Sequence, residues 1–250
     1  MGRIIAVANQ KGGVGKTTTS VNTAAALAAA GKKTLLCDFD PQANASSGLG
    51  VFRDPERKSV YNGLIDGMRA QDLILRTRFC DLLPSAIELA GAEVELVASA
   101  RREHKLRWLL NEVNAAYDYI LIDCPPSLGL LTLNALVAAD SVLAPIQCEY
   151  YALEGLSQLM QTVRSVKKSY NPALSIEGIL LTMFDGRTNL SQQVVQEVKR
   201  HFGAQVFPVV IPRNVRLSEA PSHGLPISAY DRSSKGAKCY EKLAQCIIHK

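Results

Sequence analysis

One short stretch near the start of the chain, KGGVGKTT at residues 11–18, constrains the fold more than any other part of the sequence. An apolar segment precedes it at residues 4–8, and a long alanine-rich helical pattern follows it. A glycine loop between a strand and a helix binds phosphate, because glycines let backbone N–H groups turn inward and a helix N-terminus carries partial positive charge. The pattern therefore predicts a phosphate-binding loop rather than an ordinary glycine-rich turn.

Residue types within this loop indicate how it would hold a nucleotide. Lys16 is placed to reach the β- and γ-phosphates, and the Thr17 hydroxyl is placed to hold Mg²⁺. The common pattern G-x-x-x-x-G-K-[ST] requires glycine at position 10, where this chain has Gln10 followed by a second lysine, Lys11. The predicted nucleotide-binding residues of the loop are Lys11, Gly12, Gly13, Val14, Gly15, Lys16, Thr17 and Thr18.

Short apolar runs alternate with amphipathic helical patterns along the whole chain, which is typical of βαβ units. We predict strands at residues 3–9, 34–38, 79–83, 119–123, 141–145, 176–184 and 206–211, and a polar loop at 41–48. We predict helices at residues 17–30, 87–98, 104–115, 130–138, 153–170, 190–201 and 236–248. The expected fold is α/β, a single domain over residues 1–250 with a mostly parallel twisted sheet and helices on both faces.

Aspartates follow two of the predicted strands. Asp38 ends the strand at 34–38, Asp40 lies two residues further on, and Asp123 ends the strand at 119–123. Because the carboxyl ends of parallel strands meet at the ligand crevice, we expect these carboxylates beside the phosphate loop. Asp123 would orient Mg²⁺ through a water, Asp38 would share that water shell, and Asp40 would orient the water that attacks the γ-phosphate. A turn-forming or helix-capping role remains the alternative for Asp38.

The distribution of charge, apolar runs and cysteines along the sequence limits the class of protein to which the chain can belong. Residues 1–150 have a net charge of −1 and residues 151–250 a net charge of +6, which suits a basic face for a polyanion or simply a solvated surface. No apolar run approaches ~18 residues, the start of the chain lacks a signal-peptide layout, and the six cysteines form no C-x-x-C pair. We expect a reduced, cytoplasmic protein without a zinc or redox-cysteine site.

Longer motifs extend over most of the chain: DFDPQ at 38–42, IDCPPSLG at 122–129, QCEYYALEGL at 147–156, DGRTNL at 185–190 and IPRNVRLSEAPSHG at 211–224. With Lys11 ahead of the paired glycines, the chain resembles the ParA/Soj-type partition ATPases, which belong to the deviant Walker A (ParA/MinD) class of P-loop ATPases. The resemblance covers residues 3 to about 240, and the last two motifs favour the Soj-like branch.

This resemblance implies a P-loop fold, ATP and Mg²⁺ as ligands, and slow ATP hydrolysis. ATP binding would drive a sandwich homodimer in which Lys11 reaches across to the partner's nucleotide, so that Lys11, Lys16 and Asp40 form the catalytic set. The dimer would bind double-stranded DNA nonspecifically and so associate with the nucleoid. A ParB-type centromere-binding protein would stimulate hydrolysis and release the DNA.

The resemblance also implies residue roles near the end of the chain. The base and ribose would lie near Pro212, Arg213 and Asn214, and DNA contacts would include Arg187 and Arg216. On charge alone, the further DNA-binding candidates are Lys199, Arg200, Arg232, Lys235 and Lys238. Such contacts would be to phosphates, which carry no sequence information and weaken with salt. Because the first strand begins at residue 3, an N-terminal helix-turn-helix extension is not expected.

Three other functions stay open at this point. A MinD-like membrane ATPase would need a basic amphipathic tail, whereas the apolar residues at 240, 243, 244, 247 and 248 form one helix stripe that is typical of core packing. An iron–sulfur ATPase would need a cysteine pair from each subunit near the dimer axis. A nucleotide-dependent scaffold that positions protein cargo would share the same ATPase residues.

Overall fold

The computed structural model describes residues 1–150 and 152–250. Its strands are β1 (Arg3–Val7), β2 (Thr34–Asp38), β3 (Leu75–Arg76), β4 (Asp81–Leu83), β5 (Tyr119–Asp123), β6 (Ser141–Gln147), β7 (Ser175–Phe184) and β8 (Val206–Pro212). Its helices are α1 (Lys16–Ala29), α2 (Asn44–Gly48), α3 (Val60–Ile65), α4 (Ala70–Leu73), α5 (Leu89–Glu95), α6 (Lys105–Asn111), α7 (Leu130–Ala138), α8 (Ala152–Ser169), α9 (Asn189–Phe202), α10 (Val215–Glu219), α11 (Ile227–Tyr230) and α12 (Lys235–Ile248).

Over the described ranges the strands form one eight-stranded sheet in the order β3-β4-β2-β5-β1-β6-β7-β8. Every neighbouring pair is parallel except β3 with β4, which is antiparallel and includes the outermost strand, β3. The α/β fold with a mostly parallel sheet is thus confirmed. The carboxyl ends of the parallel strands meet at one edge, where Asp123 pairs in register with both Val7 and Asp38. We call this the carboxyl edge and the opposite one the amino edge.

Hydrophobic cores cover both faces of the sheet, which explains why its central strands are almost wholly apolar. Side chains alternate between the faces: Ile4 and Ala6 belong to one core, and Ile5 and Val7 belong to the other. The second core packs beneath α1 and α12, and Leu27 of α1 is fully buried in it. Both helices therefore fix the position of the segment that precedes α1, which is the phosphate-binding loop.

Three of the differences between the predicted and the observed elements have identifiable reasons. The first strand ends at Val7 rather than residue 9, because the Asn9 side chain donates to the carbonyl of Pro145 (2.8 Å) and accepts from the backbone N–H of Lys11 (3.0 Å). The strand predicted at 79–83 begins at Asp81, since Thr77 closes a turn with Cys80. The loop predicted at 41–48 contains α2, where Ser46 is held by Asp38.

The helix predictions were closer, and most ends differ by one or two residues. The helix predicted at 104–115 stops at Asn111, after which a short 3-10 turn occupies Asn114–Ala116. The helix predicted at 87–98 consists of α5 followed by a 3-10 turn at Leu96–Ala98.

Candidate nucleotide-binding site

The phosphate-binding loop leaves β1 and enters α1 at the carboxyl edge. Gly13 and Gly15 have φ values of +72° and +88°, in the left-handed region that side chains disfavour. The Thr182 hydroxyl ties the loop to the sheet, because its Oγ1 lies 2.8 Å from the carbonyl oxygen of Val14 and 3.0 Å from that of Ile146. Sequence reasoning missed Thr182, which lies 168 residues from Val14 and has no local signal.

Lys16 is buried at the mouth of the loop, with 6% of its surface exposed. Its Nζ donates to the backbone carbonyl of Lys11 at 3.1 Å. Burial lowers the pKa of Lys16, and the carboxylates of Asp123 and Asp40 oppose that shift. The ammonium group therefore lies between the loop backbone and the acidic strand ends, where a phosphate chain would bring compensating negative charge.

Asp123 and Thr17, two of the predicted magnesium ligands, are in direct contact. The Thr17 hydroxyl donates to Asp123 Oδ2 at 2.8 Å, and the Ser20 hydroxyl donates to Asp123 Oδ1 at 2.8 Å. Complete burial raises the pKa of Asp123, and the nearby charge of Asp38 adds to the rise. A hydroxyl oxygen beside a carboxylate is a donor set that Mg²⁺ accepts, so these residues fit a magnesium site. Ser20 was not predicted.

Asp38 and Asp40 control the segment that follows β2. Asp38 Oδ2 accepts hydrogen bonds from the backbone N–H and the hydroxyl of Ser46, each at 2.7 Å. Burial raises the pKa of Asp38, and its hydrogen bonds with Ser46 counteract the rise. Asp40 is 7% exposed and accepts from the N–H of Gln42 at 2.9 Å. Asp38 thus anchors α2, while its predicted part in the magnesium shell stays a prediction.

A cavity of about 420 Å³ adjoins the phosphate-binding loop. Gly15 and Thr18 line one side of it, and the predicted base-contacting residues Pro212, Arg213 and Asn214 line another. The structure therefore brings together residues that lie about 200 positions apart in the sequence. Met183 and Tyr240 also line the cavity and were not predicted. Met183 has a φ of +52°, a conformation that is strained for methionine and often occurs at functional sites.

The Lys11 side chain pairs with a carboxylate, whereas the Lys16 side chain bonds to the loop backbone. Its Nζ lies 3.2 Å from Glu149 Oε2, and the two side chains are 37% and 45% exposed. The ammonium group of Lys11 is therefore accessible at the carboxyl edge.

The predicted DNA-binding residues lie in different parts of the structure. Arg187, Arg216, Lys235 and Lys238 lie toward the carboxyl edge, where α9, α10 and α12 begin. Lys199 and Arg200 lie near the far end of the 14-residue α9, roughly 15–20 Å along the helix axis from its start. Arg187 forms an ion pair with Asp185 at 2.7 Å, and Arg216 forms one with Glu219 at 2.9 Å. Arg232 and Lys238 line a surface groove beside α12.

Comparison with known proteins establishes the family. A family model described as "AAA domain" matches residues 2–176. The sporulation initiation inhibitor protein Soj of Bacillus subtilis is 59% identical over 98% of this chain and 98% of its own length. The chain belongs to the Soj/ParA family of chromosome-partitioning ATPases. The ParA protein of Myxococcus xanthus, 58% identical over 98% of the chain and 87% of its own length, is another such relative.

Solved structures show the same fold in other ATPases and nucleotide-binding enzymes. Cobyrinic acid a,c-diamide synthase from Mycobacterium smegmatis, with bound ADP and magnesium, is 38% identical with a TM-score of 0.88 over 100% of this chain and 95% of that one. The cell-division ATPase MinD of Pyrococcus furiosus is 30% identical with a TM-score of 0.81 over 100% and 99%.

The burial of α12 can be compared with what a MinD-like membrane ATPase would need, which is an amphipathic C-terminal tail. Of the apolar positions in its stripe, Tyr240, Leu243, Ala244 and Ile247 are all at most 2% exposed and belong to the core beneath the sheet. The prediction that this stripe packs in the core is confirmed. Across residues 1–150 and 152–250, no helix has both the length and the apolar character that crossing a membrane requires.

Proposed function

We propose that this Soj/ParA-family chain binds ATP with Mg²⁺ at the carboxyl edge and that the ATP-bound chain forms a homodimer. The dimer binds double-stranded DNA without sequence preference and so associates with the nucleoid. A ParB-type centromere-binding partner stimulates slow hydrolysis, and DNA is released. The observation that carries this proposal is that Lys16, Thr17 and Asp123 lie together beside the cavity that residues 212–214 line.

Each residue of the site has a distinct task in the proposed hydrolysis. The loop amides and Lys16 bind the phosphates, and Thr17 with Asp123 would hold Mg²⁺. Bound Mg²⁺ supplies neutralising charge for the triphosphate. Asp40 orients the attacking water, because it follows Asp38 at the carboxyl edge and its carboxylate is close enough to Lys16 to act on the ammonium group.

Lys11 is proposed to act on the nucleotide of a second copy. Its ammonium group lies on the accessible side of the loop beside Glu149, away from the buried Lys16. A cationic finger supplied from outside a site can raise the rate of phosphoryl transfer by roughly 10³–10⁵-fold. Hydrolysis by the monomer is therefore expected to be slow.

DNA binding is proposed for the basic residues toward the carboxyl edge. Arg216 and Lys235 lie in segments that pack together, because a Cβ at Gly236 would lie 2.9 Å from the Leu217 side chain in α10. Arg216 must leave Glu219 to reach a DNA phosphate, and its side chain is 56% exposed. An exposed ion pair of this kind costs little to break, since such pairs contribute about 0–1 kcal/mol.

The test is binding to a random-sequence DNA duplex with ATP, with ADP and without nucleotide, at two salt concentrations. We expect tight, salt-sensitive binding with ATP only. Arg216→Glu should abolish DNA binding and keep ATP-dependent dimerisation, whereas the exposed Lys33→Glu at the amino edge is a charge-matched control that should bind DNA normally. No DNA binding by the unaltered protein in any nucleotide state would refute the DNA-binding part of the proposal.

A further inference from the structure

Two glycines from distant parts of the sequence pack backbone against backbone. Gly50 follows α2, and Gly224 follows the 3-10 turn at Ala220–His223, which continues from α10. Both have left-handed φ values, +80° and +64°. A Cβ at Gly224 would lie 2.7 Å from Gly50 Cα and 3.1 Å from Gly50 N. Because these neighbours are backbone atoms, which cannot rotate away as a side chain can, the contact requires glycine at position 224.

The Gly50 side of the contact is tied to Asp38. The backbone N–H of Gly50 donates to the carbonyl of Ser47, and that of Val51 donates to the carbonyl of Ser46, each at 3.0 Å. Ser46 in turn donates its N–H and its hydroxyl to Asp38, each at 2.7 Å. Gly50 therefore moves with α2, and α2 is held by a carboxylate of the proposed nucleotide site.

The Gly224 side of the contact is continuous with the helix that carries Arg216. The backbone N–H of Gly224 donates to the carbonyl of Pro221 at 3.0 Å, and the Ser222 hydroxyl donates to the carbonyl of Glu219 at 2.7 Å. These bonds join the turn before Gly224 to the last residue of α10. A displacement of Gly224 is therefore passed to Glu219.

Glu219 and Asp231 hold the Arg216 side chain, and we name these two carboxylates the acidic clamp. Glu219 Oε2 accepts from Arg216 Nη1 at 2.9 Å and from the Tyr230 hydroxyl at 3.0 Å. Asp231 Oδ2 lies 3.9 Å from Arg216 Nε. The Tyr230 ring stacks on the ring of His223, with centroids 5.0 Å apart. Because His223 belongs to the same 3-10 turn, the clamp is packed against the segment that meets α2.

A cavity lies between α2 and this 3-10 turn, beside the proposed nucleotide site. Its volume is about 430 Å³, and its lining includes Asn44 and Ser47 of α2, Pro221 and Ser222 of the turn, and Thr17, the proposed magnesium ligand. A close-packed core resists displacement, whereas a cavity leaves room for it. The two segments thus border the place where a nucleotide would act, with space to move on that side.

We propose that the Gly50–Gly224 contact couples the nucleotide site to the acidic clamp, so that the state of the nucleotide sets how firmly Arg216 is held. This inference rests on the ATP-dependent DNA binding of the proposed function and adds the contact that transmits it. Coupling of this kind is a free energy shared between two sites, and it needs a contact through which one site displaces the other.

The displacement starts at Asp38, whose negative charge is met by the hydroxyl and amide of Ser46. A ligand that changes the charge around this carboxylate shifts α2, and Gly50 carries the shift to Gly224. Movement of the turn then draws Glu219 away from the arginine of the clamp. The freed guanidinium group can form charge-assisted hydrogen bonds with a DNA phosphate.

The experiment measures the affinity for a labelled random-sequence DNA duplex by fluorescence anisotropy, with a nonhydrolysable ATP analogue and with ADP. In the unaltered protein we expect the analogue to favour DNA binding by about 5-fold or more, the lower end of the usual range for coupled sites. Gly224→Ala forces a Cβ against the Gly50 backbone and should bring this ratio close to one. Nucleotide affinity without DNA should stay unchanged, because Gly224 does not line the nucleotide cavity.

Gly67→Ala is the matched control. Gly67 has a φ of +70°, so alanine is strained there as it is at position 224. Within the described ranges, however, no atom beyond its chain neighbours would lie within 4 Å of the added Cβ. This variant should keep the full ratio, and its Tm gives the loss of stability that strain alone causes. A Gly224→Ala protein with the same ratio as Gly67→Ala would overturn the inference and leave nucleotide-dependent DNA binding standing.

Glu219→Gln tests the clamp without backbone strain. Removing the charge that holds Arg216 should raise DNA affinity with ADP by about 5-fold, and should change affinity with the ATP analogue less, because the clamp is already open in that state. The control is Asp72→Asn, which removes a charge from another exposed pair, Arg69–Asp72 at 3.0 Å, and should leave both affinities unchanged. Equal gains with ADP and with the analogue would show that nucleotide does not act on the clamp, which contradicts the inference.

Reciprocity supplies a further readout, because coupling between two binding sites acts equally in both directions. Saturating duplex DNA should raise the affinity of the unaltered protein for the ATP analogue, and it should not do so in Gly224→Ala. If the unaltered protein binds no DNA in either nucleotide state, the DNA binding of the proposed function fails, and the inference fails with it. Equal DNA binding in both states would keep the DNA-binding surface and overturn the coupling.

Discussion

Both edges of the sheet bury carboxylates, but they compensate the negative charge differently. At the amino edge, Glu177 of β7 forms an ion pair with Arg3, lies 3.8 Å from Lys250 Nζ and accepts from the Ser141 hydroxyl at 2.8 Å. At the carboxyl edge, the hydrogen bonds to Asp38 and Asp123 come from hydroxyl and amide groups, mainly those of Ser46, Thr17 and Ser20.

This difference separates Glu177, whose carboxylate is paired within the fold, from Asp38 and Asp123, which we propose to act in the nucleotide site. Glu177 brings its own cations, so its charge is neutralised within the fold. Burial raises the pKa values of Asp38 and Asp123, which shows that hydroxyl and amide donors only partly offset the cost of their charge. Buried carboxylates whose negative charge is only partly compensated by the fold are commonly found at functional sites. In the proposed function, Mg²⁺ that binds with the nucleotide adds positive charge to that of Lys16, which already lies near Asp123 and Asp40.

The largest effect should come from removing the cation of the carboxyl edge. Lys16→Ala deletes the buried ammonium group that faces the phosphates, so we expect ATP affinity to fall by about 100-fold or more. Equilibrium titration with a fluorescent ATP analogue measures this change. Lys33→Ala removes an exposed lysine from the amino edge and should bind ATP normally. Full ATP affinity in Lys16→Ala would show that the phosphate loop is wrongly assigned.

Asp40→Ala should separate binding from hydrolysis at the same edge. Removing the carboxylate that orients water should lower the rate of phosphate release by about 10²–10⁴-fold, while ATP still binds and the dimer accumulates. Steady-state phosphate release and size-exclusion chromatography together report both properties. Normal turnover would mean that another group orients the attacking water.

At the amino edge, Glu177→Gln should affect stability alone. The substitution removes a buried charge from Arg3 and Lys250, whose side chains are 33% and 39% exposed and can turn toward water. We expect the free energy of unfolding to fall by about 1–3 kcal/mol, measured by urea denaturation, with ATP affinity unchanged. An equal loss of ATP affinity would show that the two edges are not independent.

Local signals carried most of what the sequence predicted. The strand–loop–helix order around Lys16 and the aspartates that follow apolar strands depend on short-range patterns, and the structure places Thr17 in contact with Asp123. Thr182 escaped prediction because its bonds to the phosphate loop are set by the pairing of β6 with β7. Residues 44–48 were predicted as loop because their short polar helix depends on a tertiary anchor, Asp38.

The amino edge shows the same limit on prediction. Glu177 lies in an otherwise apolar strand, and its role follows from Arg3 and Lys250, which are distant in the sequence. Likewise, residues 212–214 were predicted from the family resemblance rather than from any local pattern. They line the same cavity as Gly15 only in the folded chain.

The most direct test of the contrast between the edges is the pH dependence of unfolding for nucleotide-free Asp123→Asn beside the unaltered protein. The folded-state pKa values of Asp38 and Asp123 are raised, so stability is lost as pH rises from their ordinary value of about 4 through the raised values. At pH 8 the variant lacks one uncompensated charge.

We therefore predict that Asp123→Asn is more stable than the unaltered protein at pH 8 by about 1–3 kcal/mol, and that the difference shrinks toward pH 4. Glu177→Gln should change stability in the opposite direction at pH 8. If Asp123→Asn is instead destabilised at pH 8 as Glu177→Gln is, the carboxyl edge already neutralises its own charge, and the distinction between structural and functional carboxylates is contradicted.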